Sequence, residues 1–213
     1  MTDVDRQSTR TTESALVRRS VSFELGVWRS LYRWTTRRPL GPEDAETFSY
    51  AGPVTPVIWA FIGLSAIEIP VAHLLLPWQT ARVIVLVVGI WGLTWMLGLL
   101  ASLKTYPHLV AGSGLRIRYG TTVDITVPWD AVASIGVRRR DLASSRTVQL
   151  SRLESGTVLQ VGISGQTNVD LGLRDPVTVP LPKGSKSVSA LRFHADDAPA
   201  LVACARQHLT PRV

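Results

Sequence analysis

Apolar residues run almost unbroken from Pro56 to Leu76 and again from Val83 to Leu103, with only Glu68 and His73 inside the runs and Arg82 just before the second. At ~1.5 Å of rise per residue, each run is long enough as a helix to cross roughly 30 Å of hydrocarbon. The residues between them, Pro77 to Ala81, leave room only for an antiparallel return. Residues 56–103 are therefore expected to form a transmembrane helical hairpin. After Leu115 the period changes to two: Leu115, Ile117 and Tyr119 alternate with Arg116 and Arg118, and Val123, Ile125 and Val127 with Asp124 and Thr126. Such alternation predicts half-buried antiparallel strands. Further strands are expected over 132–137, 147–153, 158–163, 168–173, 177–181 and 188–194, separated by Gly- and Ser-containing turns. Asp197-Ala198-Pro199 then opens a helix, with Asp197 as its cap and Pro199 in the first turn, where proline is tolerated.

The pattern thus predicts an α+β membrane protein. A transmembrane α-helical hairpin precedes an antiparallel β-sandwich or partly open barrel of about seven strands, capped by a C-terminal helix over residues 114–213. The rest of the chain reads less strongly. Residues 1–15 offer little to bury and are expected to be disordered. Over 16–38, Leu16, Phe23, Val27, Leu31 and Trp34 share one helical side, while Arg18, Arg19, Arg29, Arg33 and Arg37 share the other. That is the pattern of an amphipathic helix lying among lipid headgroups. A strand is the competing reading, because Val21, Phe23, Leu25 and Val27 alternate and Gly26 weakens a helix. Residues 39–55 and 104–113 are expected to be linkers, the second spanning at most ~35 Å.

Within the hairpin, Trp91, Thr94, Trp95, Gly98 and Ser102 fall on one arc of the second arm. Phe61, Leu64, Ser65, Glu68, Ala72 and Leu75 form a stripe on the first. Small and hydrogen-bonding residues on a stripe favour close helix contact in lipid. Pairing the arms about residue 79 or 80 brings Glu68 level with Trp91 and Ser65 level with Thr94. A carboxyl near mid-membrane costs ~3 kcal/mol and is by default a functional suspect. His73 lies about 140° round the helix from Glu68, too far round to complete a proton relay. A protonated Glu68 hydrogen-bonded to Trp91, to Ser65 or to a second copy of the chain is the structural alternative.

Charge then adds an orientation. The formal net charge of +7 is concentrated after residue 103. Arg37 and Arg38 before the first arm, and Lys104, Arg116 and Arg118 after the second, outweigh Arg82 at the turn, which predicts that both termini are cytoplasmic. No signal-peptide core is read in the first fifty residues. A basic module held at a bilayer most simply meets anionic headgroups, each nearby Lys or Arg being worth ~1 kcal/mol, so lipid is expected as a partner and nucleic acid is not. The best headgroup candidates are Arg138, Arg139 and Arg140, with Arg146, in what reads as a connection between two strands. Single Cys204 excludes an internal disulfide, and the histidines show no metal-ligand spacing. No cofactor is expected. No nucleophile elbow, Gly-rich phosphate loop or carboxylate cluster points to an enzyme.

The order of about seven strands and one closing helix resembles the bacterial pleckstrin-homology-like membrane proteins. The residues carrying the resemblance are Gly114-Leu115-Arg116-Ile117-Arg118-Tyr119-Gly120, Val127 to Ile135 around Pro128-Trp129-Asp130, and Asp196 to Val202. The resemblance implies a non-enzymatic plasma-membrane protein that displays its β domain for lipid or protein binding, with an unknown protein partner or a second copy. One lipid-binding pattern, a Lys followed by Arg-x-Arg, is met by Lys104 and Arg116-Ile117-Arg118 only in form. Two alternatives remain: an oligomeric transporter or channel subunit using Glu68, and an OB-like accessory of a membrane protease.

Overall fold

The computed structural model describes residues 28, 30–32, 36, 45–144, 146–153, 156–181 and 184–209. The two apolar runs form the helices α1 (Thr55–Leu75) and α2 (Gln79–Thr105), packed against each other as a hairpin. Both are long and apolar enough to cross a membrane. They are not core helices, because only 6% and 11% of their most apolar windows are buried within the molecule. Leu74 and Leu75 at the far end are nearly bare, at 79% and 77% exposure. Pro70 lies inside α1, which runs through it without a break.

Two sheets make up the rest. One has the order β1 (Glu46–Phe48), β2 (His108–Ala111), β3 (Gly114–Tyr119), β4 (Val123–Val127). The other contains β5 (Val132–Asp141), β6 (Val148–Leu153), β7 (Gly156–Val161), β8 (Gln166–Val179) and β9 (Lys186–Phe193), in the order β5-β8-β9-β7-β6. Alternation in β3 and β4 buries Leu115, Ile117, Val123, Ile125 and Val127, and these meet Ile135, Leu159, Val169, Leu171, Leu191 and Phe193 of the second sheet. The C-terminal helix α3 (Ala198–Gln207) begins at Asp197, whose side chain accepts a hydrogen bond from the Ala200 amide at 2.9 Å. Its Leu201 and Ala205 are fully buried in this core. Trp129 is partly buried against this core: its indole donates to the Ala111 carbonyl and its ring stacks on His208.

Several expectations need correction. The segments read as linkers, 39–55 and 104–113, contain β1 and β2, which pair antiparallel with Phe48 opposite His108. The hairpin is thus an insertion between two adjacent strands of one sheet, not a separate anchor ahead of the β domain. Alternation is invisible in segments this short. Nine strands replace about seven among the described residues. The strands expected at 168–173 and 177–181 are one strand, β8, whose register slips between Gly172 and Val177. Nor is the sandwich wholly antiparallel, since β7 and β9 run parallel, with Leu159 opposite Leu191.

Candidate functional site

Where the hairpin meets the sandwich, buried polar side chains are tied to one another. Tyr50, between β1 and α1, accepts a hydrogen bond from the Gly120 amide at 2.7 Å. His108 begins β2 immediately after α2; its Nδ1 accepts from the Arg118 amide at 3.1 Å, so its Nε2 carries the proton and donates to the His194 carbonyl at 2.9 Å. Burial pushes His108 down to about 4, so the ring is neutral at pH 7. Burial likewise raises the Tyr50 phenol. Asp196 accepts from the Gly52 amide with both oxygens at 3.0 Å, just ahead of α1. A Cβ at Gly52 would lie 2.7 Å from that carboxylate, so only glycine permits the contact. Around these bonds Tyr50, Ala51 and Leu103 pack on Ile163, with Val54, Ile58 and Tyr119 alongside. Both arms of the hairpin are therefore docked at their base.

Arg118 belongs to this base and was not legible as such. Alternation puts it on the outward face of β3, where a charged residue is ordinary. The hairpin base covers that face, leaving the side chain 2% exposed. Desolvation opposes its charge, and Asp124, with an oxygen 3.6 Å from its Nε, supports it. Arg116 holds the same Asp124 through two 2.6 Å bonds.

The expected headgroup residues are placed differently from one another. Arg138, Arg139 and Arg140 lie in the last turn of alternation of β5, not in a connecting loop. Arg140 is engaged by Asp170 at 3.1 Å, and Arg192 holds the other oxygen of Asp170 at 3.4 Å, so Arg140 differs from its neighbours in having an ion-pair partner within the sandwich. Arg138, Arg139 and Arg146 are exposed and have no ion-pair partner among the described residues. Arg139 is close enough to His194 to add to the lowering that burial causes there, against the pull of Asp196. The loop carrying Arg146 is fixed to the β7–β8 turn, through Leu142 donating to Gly165 and Gly162 donating to Thr147. Because Ile163 of that turn packs at the hairpin base, these three arginines sit on the hairpin-facing end of the sandwich.

The hairpin has a second feature, a cleft of about 370 Å³ between its arms. Ser65, Glu68, Ile69 and Ala72 line it from α1, and Val88, Gly89, Gly92 and Met96 from α2. Glu68 faces this cleft together with Ser65, but Trp91 and Thr94 of the second arm do not. Trp91 turns away and packs edge-on against Trp28 at 6.0 Å, and Thr94 donates back to the Ile90 carbonyl. The second arm carries two faces rich in small residues, and the one used against α1 contains Gly89, where a Cβ would strike Ile69 at 2.6 Å. His73 is half-buried, with its Nδ1 unpaired among the described residues, and lies off the cleft.

The expected interfacial helix falls largely outside the described residues, including Arg18, Arg19, Arg29, Arg33 and Arg37. Its described part is helical at Trp28 and 30–32, with Trp28 beside Trp91 of α2. Among the described residues no group of three metal-ligating side chains occurs. No protein-family profile, curated protein or solved structure matches the chain.

Proposed function

We propose that this chain is a non-enzymatic integral membrane protein whose hairpin spans the plasma membrane and holds a pleckstrin-homology-like sandwich against the cytoplasmic leaflet for lipid and protein binding. The observation that carries the reading is the insertion of an exposed, apolar hairpin between paired strands of a basic sandwich. Water would not tolerate so large a bare apolar surface, and lipid removes the penalty. With both connections short, the sandwich cannot swing away from the bilayer, and Arg138, Arg139 and Arg146 face the headgroups. Two sheets closed by α3 support the pleckstrin-homology-like assignment, while the parallel β7–β9 pair departs from it. Nine strands and a docked terminal helix disfavour the OB-like alternative.

Hydrogen exchange in lipid nanodiscs tests the headgroup contact. Segment 138–149 should be more protected in discs containing phosphatidylglycerol than in phosphatidylcholine alone. Arg138→Glu/Arg139→Glu should erase the difference, each lost arginine being worth ~1 kcal/mol, about a fivefold change in docking. Equal protection of the unaltered chain in both lipids would refute the contact.

A further inference from the structure

Glu68 sits in the cleft with a hydroxyl one turn away at Ser65, and neither side chain has a hydrogen-bond or ion-pair partner among the described residues. Every other group lining that surface is apolar. A carboxyl left unpaired in hydrocarbon is costly, and so is a hydroxyl, whereas a neighbouring helix that supplies matching polar groups removes both costs.

We propose that the cleft is a dimerisation surface, completed by Glu68 and Ser65 of a second copy of this chain. Three observations choose a second copy over an unrelated helix. First, inserted copies share one topology, so a two-fold axis between them lies along the membrane normal and brings each residue level with itself. Glu68 thus meets Glu68 at the same depth with no tuning of register. Second, the patch is self-complementary, because the Ser65 hydroxyl of each copy can donate to the Glu68 carboxyl oxygens of the other. Third, the cleft is open at Gly92, where a Cβ meets nothing within 4 Å, and Ala72 lines it from the first arm. A partner helix can therefore approach the backbone closely. The inference rests on the hairpin being inserted in a membrane, and goes beyond anchoring by naming what the cleft binds.

Oxidative crosslinking of the full chain in native membranes tests it. In a Cys204→Ser background, Gly92→Cys places a thiol in the cleft and Val87→Cys places one on the exposed flank, where Val87 is 61% exposed. Gly92→Cys should form a covalent dimer and Val87→Cys should not. Adding Glu68→Leu, which removes the paired carboxyls without adding polarity, should lower the dimer fraction about tenfold, whereas Glu68→Gln should retain it. The proposal is overturned by equal crosslinking at both positions, by crosslinks from Gly92→Cys to a different protein alone, by indifference to Glu68→Leu, or by no crosslink at all. Labelling with a water-soluble maleimide separates the two levels of failure. A Gly92→Cys thiol that stays unlabelled yet uncrosslinked refutes the dimer alone, whereas one that labels freely refutes membrane insertion.

Discussion

His108 shows how one side chain can tie three parts of the chain. It follows α2, its ring accepts from β3, and its proton goes to the carbonyl of His194 at the end of β9. Since its pKa falls from an ordinary 6.5 to about 4 on folding, the unfolded chain binds more protons between those values. Stability contributed by the neutral ring is complete above pH 6.5 and is lost as the pH falls towards 4, by about 3 kcal/mol. Thermal melting of the full chain in detergent should show that loss, and His108→Leu should flatten it. The same substitution leaves the Arg118 amide and the His194 carbonyl unpaired, so at pH 7 it should also cost about 2–4 kcal/mol. Tyr50→Phe removes one buried bond, that from Gly120, and should lower stability by ~1–3 kcal/mol at any pH below the phenol's range. A melting temperature equal to that of the parent chain would show that this bond is not made.

At the scale of elements, what was legible and what was not divides along physical lines. Both arms of the hairpin, β3, β4 and α3 were readable because each carries a long signal: twenty or more apolar residues, strict alternation, or a capped amphipathic turn. Residues 46–48 and 108–111 carry no such signal. Their pairing is a long-range event whose partners lie on either side of the hairpin, and no local pattern encodes it. The same holds at the cleft. Of the stripe expected on α1, Ser65, Glu68 and Ala72 line the cleft while Phe61, Leu64 and Leu75 are exposed beside it; α2 offers two small-residue faces, and only the packing of Ile69 on Gly89 selects between them. The burial of Arg118 was not readable because alternation reports a face and not what covers it, and Arg138 to Arg140 read as a connection because the apolar alternation stops at Val137 although β5 runs on to Asp141. Hydrogen exchange on the intact chain checks the pairing directly. The amides of β1 and β2 should be protected to the same degree as β3, whereas a flexible linker would exchange at once. For α3, Leu201→Ala should cost ~2–5 kcal/mol, because the side chain is fully enclosed between the sheets. An unchanged melting temperature would mean that the helix does not plug the sandwich.

For the whole molecule, the split sandwich and the hairpin constrain each other. Anything that tilts one arm must move β1 or β2, and through them Tyr50 and His108, so the sandwich is coupled to the hairpin without a separate linker. That coupling, like the basic rim and the cleft, has meaning only if α1 and α2 lie in lipid with the sandwich on the inner side. The most direct measurement is cysteine accessibility in intact cells, using an impermeant maleimide and a Cys204→Ser background. Trp78→Cys, at the exposed far turn, should label in intact cells, while Asp130→Cys and Lys186→Cys, exposed on the sandwich, should label only after the cells are permeabilised. Labelling of all three without permeabilisation, or of the two sandwich positions ahead of Trp78→Cys, would contradict the account.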